Sequence, residues 1–295
     1  MKIRLISGSC YVAILIAFFC LKIFVHDLCF DGLLYVFGLI GTFEILRALS
    51  AKITRAEKGV VFAFAAISIP LCAAFETVFG VGERAFYACF FALVVALLSL
   101  LVIRHEETTP ENLGVAFLSA VYPTVLLGLL VLTNHLQAPS SLETLAFDSR
   151  LAILFIFVVS PCADSIAYVF GRFLRKYFPK KMSPVISPNK TVIGGIGGLV
   201  GGALGAVAIY FIYNAVVGSF ENMGLWLPIY LLIGLLTSAA TEFGDLVESC
   251  IKRKVDIKDM GKIMPGHGGV LDRIDGTLFA TIAVYVCFAV IYLVV

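Results

Sequence analysis

Nine apolar stretches of about bilayer length alternate with polar connections along the 295-residue chain. They run Ile6–Phe24, Leu33–Leu49, Gly59–Val78, Ala85–Ile103, Leu113–Leu132, Leu151–Phe170, Val192–Val217, Leu225–Phe243 and Thr277–Val295. A helix needs about 20 apolar residues to cross the hydrocarbon core. In lipid each span must satisfy its own backbone hydrogen bonds, which predicts helix throughout. The expected fold is an all-α integral membrane protein of about nine transmembrane helices. Residues 1–295 are read as a single polytopic membrane domain. Within it, 1–135 supply lipid-facing scaffold helices, and 150–295 supply the helices and loops that carry chemistry. Met1 to Phe24 has a basic start but no small-x-small cleavage site, and further apolar segments follow directly, so it reads as the first anchor.

Composition agrees with the pattern. The chain is 60% hydrophobic and only 14% charged, where soluble domains carry about 25%. The net charge of +2 is uninformative by itself, but its distribution is not. With the N-terminus in the cytoplasm and the C-terminus on the outer side, all of the 22 Lys and Arg except Lys22, Arg84 and Arg150 fall inside. That is a strong positive-inside bias. The two long inner loops, Gly171–Thr191 and Gly244–Gly276, hold nearly all the unusual polar residues. The outer connections Gly80–Arg84 and Gly218–Gly224 are short and bland. The eight Cys lie mostly inside apolar runs, with no CxxC pair or metal spacing, and read as small packing residues. His26, His105 and His135 read as interfacial loop residues.

Four carboxylates stand near predicted helix ends: Asp164, Asp245, Asp272 and Asp275. Charge placed close to a bilayer core is costly and usually functional. Asp272 and Asp275 are spaced i, i+3 and share a face if that stretch is helical. Two such oxygen donors, with a third from a neighbouring helix, suit a hard cation such as Mg²⁺ held partly by substrate phosphates. The alternative is pairing with nearby cations, as Asp272 with Arg273. The basic run Lys252-Arg253-Lys254 to Lys262 precedes Pro265-Gly266-His267-Gly268-Gly269. Glycines let backbone N–H groups approach phosphate, and basic side chains neutralise its charge. A basic run alone would equally meet anionic headgroups. Ser187-Pro188-Asn189-Lys190-Thr191 leads into Gly194-Gly195-Ile196-Gly197-Gly198. There Thr191 can cap the next helix and its N-terminus attract an anion, or the glycines can serve close helix packing. His267 is a donor to phosphate, an orienter of the loop, or an acid–base group.

The run Ser249-Cys250-Ile251-Lys252-Arg253, then Lys258-Asp259-Met260-Gly261, then Pro265 through Asp275 resembles the signature of the phosphatidate cytidylyltransferases, the CDP-diacylglycerol synthases. Ala163-Asp164-Ser165 to Gly171-Arg172 and Ser187 to Thr191 resemble further family segments, in the right order. The likeness covers about the last half of the chain; the first five spans match only in hydropathy. Met264, Asn189 and Ile193 depart from residues usual there. The resemblance implies transfer of the cytidylyl group of CTP to phosphatidate, giving CDP-diacylglycerol and pyrophosphate for phospholipid biosynthesis. It implies a multi-pass inner-membrane protein whose site faces the cytoplasm. It assigns Asp245, Asp272 and Asp275 to catalysis and to Mg²⁺, with K⁺ as a second cation. Lys252 joins them in catalysis. Lys252, Arg253, Lys258, Lys190 and Arg273 would hold the triphosphate and the lipid phosphate. Asp164, Ser187, Thr191, Asp259, His267, Gly268 and Gly269 complete the substrate contacts. A homodimer is implied, and no nucleic-acid partner.

Two other readings stay open at this point. A CTP-dependent lipid or polyprenol kinase would share the nucleotide but move the γ-phosphate. An ion-coupled transporter would use intramembrane Asp residues. It would, however, spread polar positions over several helices, whereas here they cluster near one face.

Overall fold

The computed structural model describes residues 2–139, 142, 147–217 and 222–294. Met1, residues 218–221 of the Gly218–Gly224 connection, and Val295 of the ninth predicted span lie outside the described residues. Among the described residues, nine helical stretches are long and apolar enough to cross a membrane. The chain divides into two compact units, Met1–His135 with Lys254–Ile274, and Leu136–Arg253 with Asp275–Val295.

The first unit holds α1 (Lys2–Phe24), α2 (Asp27–Ala48), α3 (Arg55–Phe79) and α4 (Gly82–Ile103). Its fifth span is α5 (Pro110–Ala120), a π-helical turn over Val121–Val125, and α6 (Leu126–Asn134). Pro123 sits in that turn; lacking an N–H, it removes a ladder bond where the helix widens. Helix starts follow local signals. Thr54 and Glu57 form a capping box on α3, and Thr109 caps α5 just before Pro110. Gly80 ends α3 in the left-handed conformation (φ 64°). Phe30, Leu34, Ile45, Val61, Ile69, Leu97, Leu127 and Val131 make the core. The apolar side chains of α1 are largely exposed, as lipid solvent permits.

At one end of this unit the scaffold helices are less bland than their hydropathy. Lys22 pairs with Asp27 and donates to the Asn134 carbonyl at 2.9 Å. Asn134 Nδ2 donates to Asp31 at 2.8 Å. His135 Nε2 lies 2.7 Å from the other Asp31 oxygen. Burial disfavours the imidazolium, but the hydrogen bond and the charges of Asp31, Asp27 and Glu76 outweigh it, so the His135 pKa is raised. His135 is therefore part of a buried polar network and not a bare interfacial residue.

The second unit begins its sixth span with α7 (Ser149–Leu154), a π turn over Phe155–Val159, and α8 (Ser160–Phe173). β1 (Lys181–Ser183) and β2 (Ser187–Thr191) follow, then α9 (Val192–Val217), α10 (Met223–Lys254) and α11 (Leu271–Val294), which belongs to this unit from Asp275 onward. An aromatic cluster fills the core. Tyr210 meets Tyr230 edge-on at 5.1 Å, and Phe147 lies 4.9 Å from Phe288. Asp148 caps α7 by accepting from Arg150 N at 2.9 Å.

Three boundaries differ from the hydropathy pattern. The stretch Ser187–Thr191 is not loop; it pairs antiparallel with Lys181–Ser183, so the all-helical expectation lacks one hairpin. Helix α10 runs eleven residues past Phe243. Charge ends the apolar run there without ending the helix, because Glu248 and Lys252 pair at i, i+4 along one face of it. Helix α11 starts at Leu271, so Asp272 and Asp275 are helical, as their spacing expected.

Close approach of α10 and α11 depends on absent side chains. A Cβ on Gly276 would lie 2.7 Å from Thr241 Cγ2, and one on Gly244 would lie 2.6 Å from the Asp275 carbonyl. Gly276→Val is therefore expected to destabilise the protein by about 1–3 kcal/mol. Thermal unfolding in detergent would show a lowered midpoint. Gly59→Ala, where no atom lies within 4 Å, leaves it unchanged or slightly raised. Equal midpoints for wild type and Gly276→Val would contradict the crossing.

Candidate active site

In the second unit a cleft of about 600 Å³ opens among α8, the hairpin, α9 and α10. Asp164, Arg172 and Arg175 line one side, Asn189, Lys190 and Thr191 another, and Glu242 and Asp245 a third. Each element aims its side chain for a local reason. The hairpin delivers Lys190, whose Nζ donates to Asp245 Oδ2 at 2.8 Å. Thr191 is buried and its Oγ1 accepts from Gly194 N at 3.1 Å, capping α9 as its sequence position expected. Arg172 lies over the Tyr168 ring with its Cζ 5.8 Å from the centroid, which holds one guanidinium at the cleft wall. Ser187 is half-buried at the start of β2.

Glu242 went unremarked in the sequence. Its carboxylate lies against Gly195 and Gly198 of α9, and a Cβ on Gly198 would fall 1.8 Å from Oε1. Its Oε1 is buried without a hydrogen-bond partner. Part of the glycine run of α9 therefore makes room for a carboxylate. The signal was available: an acidic residue inside an apolar segment is expensive and seldom idle.

Further along α10, one turn beyond Asp245, Glu248 is buried to 1% exposure and paired with Lys252. Asp275 of α11 lies in the field of both Asp245 and Glu248 and within hydrogen-bond reach of Glu248. The unit thus gathers Lys190, Asp245, Glu248, Lys252 and Asp275, with Arg253 exposed at its end. The remaining expected residues belong to the first unit. Asp272 Oδ2 accepts from the backbone N–H groups of Met260 at 2.8 Å and Gly269 at 2.7 Å, with Gly261 at 3.4 Å. It folds the loop over itself. Gly268, in the left-handed region (φ 90°), brings the loop to Asp272. Lys258, Asp259 and Arg273 are exposed. His267 Nδ1 lies 2.6 Å from Ser7 Oγ of α1.

Glu44 is the second residue missed by sequence reasoning. It sits on α2, among helices read as scaffold, and is 1% exposed. Its carboxylate accepts from Val270 N at 3.2 Å and Leu271 N at 2.9 Å, at the N-terminus of α11. An anion there meets unsatisfied N–H groups and the positive end of the helix dipole.

A sequence profile of the cytidylyltransferase family matches residues 2–291. The chain belongs to the cytidylyltransferase family. It is 42% identical over 132 residues to the phosphatidate cytidylyltransferase of Staphylococcus haemolyticus, covering 45% of this chain and 46% of that protein. The Staphylococcus saprophyticus protein of the same name is 43% identical over 127 residues, 43% of this chain and 45% of its own. The Staphylococcus aureus protein is 42% identical over 127 residues. In these alignments the chain spans about half the length of the curated relatives it matches.

Among the described residues no three His, Cys, Asp or Glu are gathered as a metal-binding group. The oxygen donors Asp164, Glu242 and Asp245, one atom of them buried and unpartnered, fit a sparser arrangement. In it, Mg²⁺ keeps water and phosphate oxygens and takes only one or two carboxylates.

Removing the Glu44 carboxylate would strand two N–H groups of the signature loop. Glu44→Ala is expected to cost about 2 kcal/mol and to speed tryptic cleavage at the exposed Lys258 and Lys262. Unchanged cleavage in folded protein would contradict the role assigned to Glu44.

Proposed function

We propose that this cytidylyltransferase moves the cytidylyl group of CTP onto phosphatidate and releases pyrophosphate. The observation that carries the reading is the cleft lined by Lys190, Arg172 and Arg175 together with Asp164, Glu242 and Asp245. A polyphosphate and a hard cation are the two ligands such a mixed lining fits. The names and sequences of the staphylococcal relatives supply the substrate class.

A phosphatidate oxygen attacks the α-phosphorus of CTP, a P–O bond forms, and the bond to the β-phosphate breaks with pyrophosphate leaving. The nucleophile is already anionic, so the barrier is charge repulsion and alignment more than proton removal. Lys190 and the two arginines would bind the triphosphate, with Lys252 and Arg253 placed for the lipid phosphate. Mg²⁺ at Asp245 and Asp275 would supply charge neutralisation between the two phosphates, and K⁺ remains part of the reading as a second cation. The Lys190–Asp245 bond would then be exchanged for bonds of each partner to substrate or cation. For Lys258, Asp259, His267, Gly268, Gly269 and Arg273, substrate contact is proposed on the motif alone, and for Asp272 a catalytic, metal-binding role is proposed on the same ground. Ser187 and Thr191 would act through the hairpin and the α9 cap.

The Lys and Arg bias supports a cytoplasmic N-terminus and a cleft open to cytoplasmic CTP, with phosphatidate entering from the inner leaflet. The inner bacterial membrane and a homodimer belong to the same proposal.

Asp245→Asn is expected to abolish CDP-diacylglycerol formation from CTP, phosphatidate and Mg²⁺ without loss of folded protein. Lys252→Ala is expected to raise the apparent KM for phosphatidate about tenfold, the scale of one lost charge-assisted contact. Wild-type product yield from Asp245→Asn, measured by mass spectrometry of the lipid fraction, would overturn the assignment of the cleft.

A further inference from the structure

In the second unit, residues 171–191 join α8 to α9. They include Arg172, Arg175, Lys176, Lys180, Lys181 and Lys190 and no acidic residue. The sixth membrane-length stretch ends at Phe173 and the seventh begins at Val192, which puts this segment at one membrane surface. The chain turns sharply there. The N–H groups of Tyr177 and Phe178 both donate to the Leu174 carbonyl at 3.0 Å, and Val192 N donates to the Lys180 carbonyl at 3.0 Å. The turn is thereby tied to the end of α8 and to the start of α9. Beside it opens an apolar groove of about 540 Å³. Tyr177, Phe178, Pro179 and Lys180 form one wall, and Val192, Ile193 and Ile196 the other. Tyr177 is 73% exposed and Phe178 57%, while Lys176 and Lys181 on either side of this turn are exposed too. The groove is separate from the cleft. With about 3.6 residues per helical turn, Val192, Ile193 and Ile196 lie roughly opposite the Thr191, Gly194 and Gly195 that line the cleft. The cleft carboxylates Asp164, Glu242 and Asp245 line that other side.

We propose that this groove seats an anionic phospholipid of the bilayer, its chain along Ile196 and Val192 and its phosphate at Lys180, with Lys176 and Lys181 adding to the positive field. Charge complementarity selects the occupant. Exposed aromatic rings beside lysines at the end of a span suit the head-group region, and a basic cluster with no acid in it favours an anionic lipid over a zwitterionic one. The tail is in an apolar solvent whether bound or free, so the lysines supply the affinity and the groove supplies the place. A non-substrate lipid fits better than the reacting one, because the groove opens on the side of α9 away from the cleft. The seated lipid has a consequence for the cleft. Lys181 begins β1 and is paired with Thr191 at the end of β2, so fastening the turn to the membrane fastens the hairpin that carries Lys190. Binding stands independently of the reaction; its effect on turnover rests on the cytidylyl-transfer reading above.

The test uses phosphatidylglycerol with a photoreactive group on one acyl chain, in nanodiscs of phosphatidylcholine holding the full-length protein. Label is expected in 177–180 and 192–196, displaced by unlabelled phosphatidylglycerol and not by added phosphatidylcholine, and weakened by raised salt. Lys180→Gln is expected to weaken it about fivefold at limiting probe, the factor one cation contributes beside an anionic surface. Ile196→Trp, which fills the groove, is expected to remove it. Leu204→Trp, at an exposed position two turns further along α9, should leave it unchanged. In turnover, phosphatidylglycerol should raise the wild-type rate and leave the rate of Lys180→Gln at its value in pure phosphatidylcholine, where the two proteins are equal. Label that is equally strong with a phosphatidylcholine probe, or insensitive to Lys180→Gln and Ile196→Trp, would overturn the site. Displacement by phosphatidate and not by phosphatidylglycerol would overturn it in favour of a substrate chain. Labelling as expected in a wild-type protein that forms no CDP-diacylglycerol would overturn the reaction and leave the lipid site standing.

Discussion

The bond between Lys190 and Asp245 sets the terms for the second unit. Charge near a bilayer core is tolerated when it is matched, and these two groups match each other at 2.8 Å across a hairpin and a helix. The rest of that unit serves the encounter. β1 and β2 exist to carry Lys190 to the cleft, the Thr191 cap starts α9 just beyond it, and the polar extension of α10 carries Asp245. Both partners keep roughly a quarter to a third of their side-chain surface exposed, so the pair is accessible to ligands. A buried pair such as Glu248 with Lys252 is a different object. Its carboxylate is closed off from solvent.

The signature loop of the first unit is ordered by anions acting on backbone. Asp272 gathers N–H groups from Met260, Gly261 and Gly269, while Glu44 takes those of Val270 and Leu271. Glycine is needed at 261 and 269 because Glu44 occupies the volume a Cβ would fill. In its own unit the motif is thus a loop wound around two carboxylates.

Much of this was legible in the sequence. Nine spans, the Thr191 cap and the helical placement of Asp272 and Asp275 follow from periodicity and local capping chemistry. Hydropathy misplaced the end of α10, because it measures solvent preference and not helix formation; Glu248 and Lys252 sustain a helix that lipid scales would stop. The short hairpin was invisible since Ser187-Pro188-Asn189 has turn-forming composition and its partner strand has only three residues. Glu44 and Glu242 were missed for a common reason. Each lies alone in an apolar run, and its purpose appears only when a residue distant in sequence arrives beside it.

The central claim is the fate of one phosphorus atom. CTP labelled at the α-phosphate, and separately at the γ-phosphate, would be supplied with phosphatidate and Mg²⁺ to the purified full-length protein. The account predicts that the α-label alone enters the lipid fraction and that the γ-label is released as pyrophosphate. Transfer of the γ-label to lipid, with release of CDP, would contradict it.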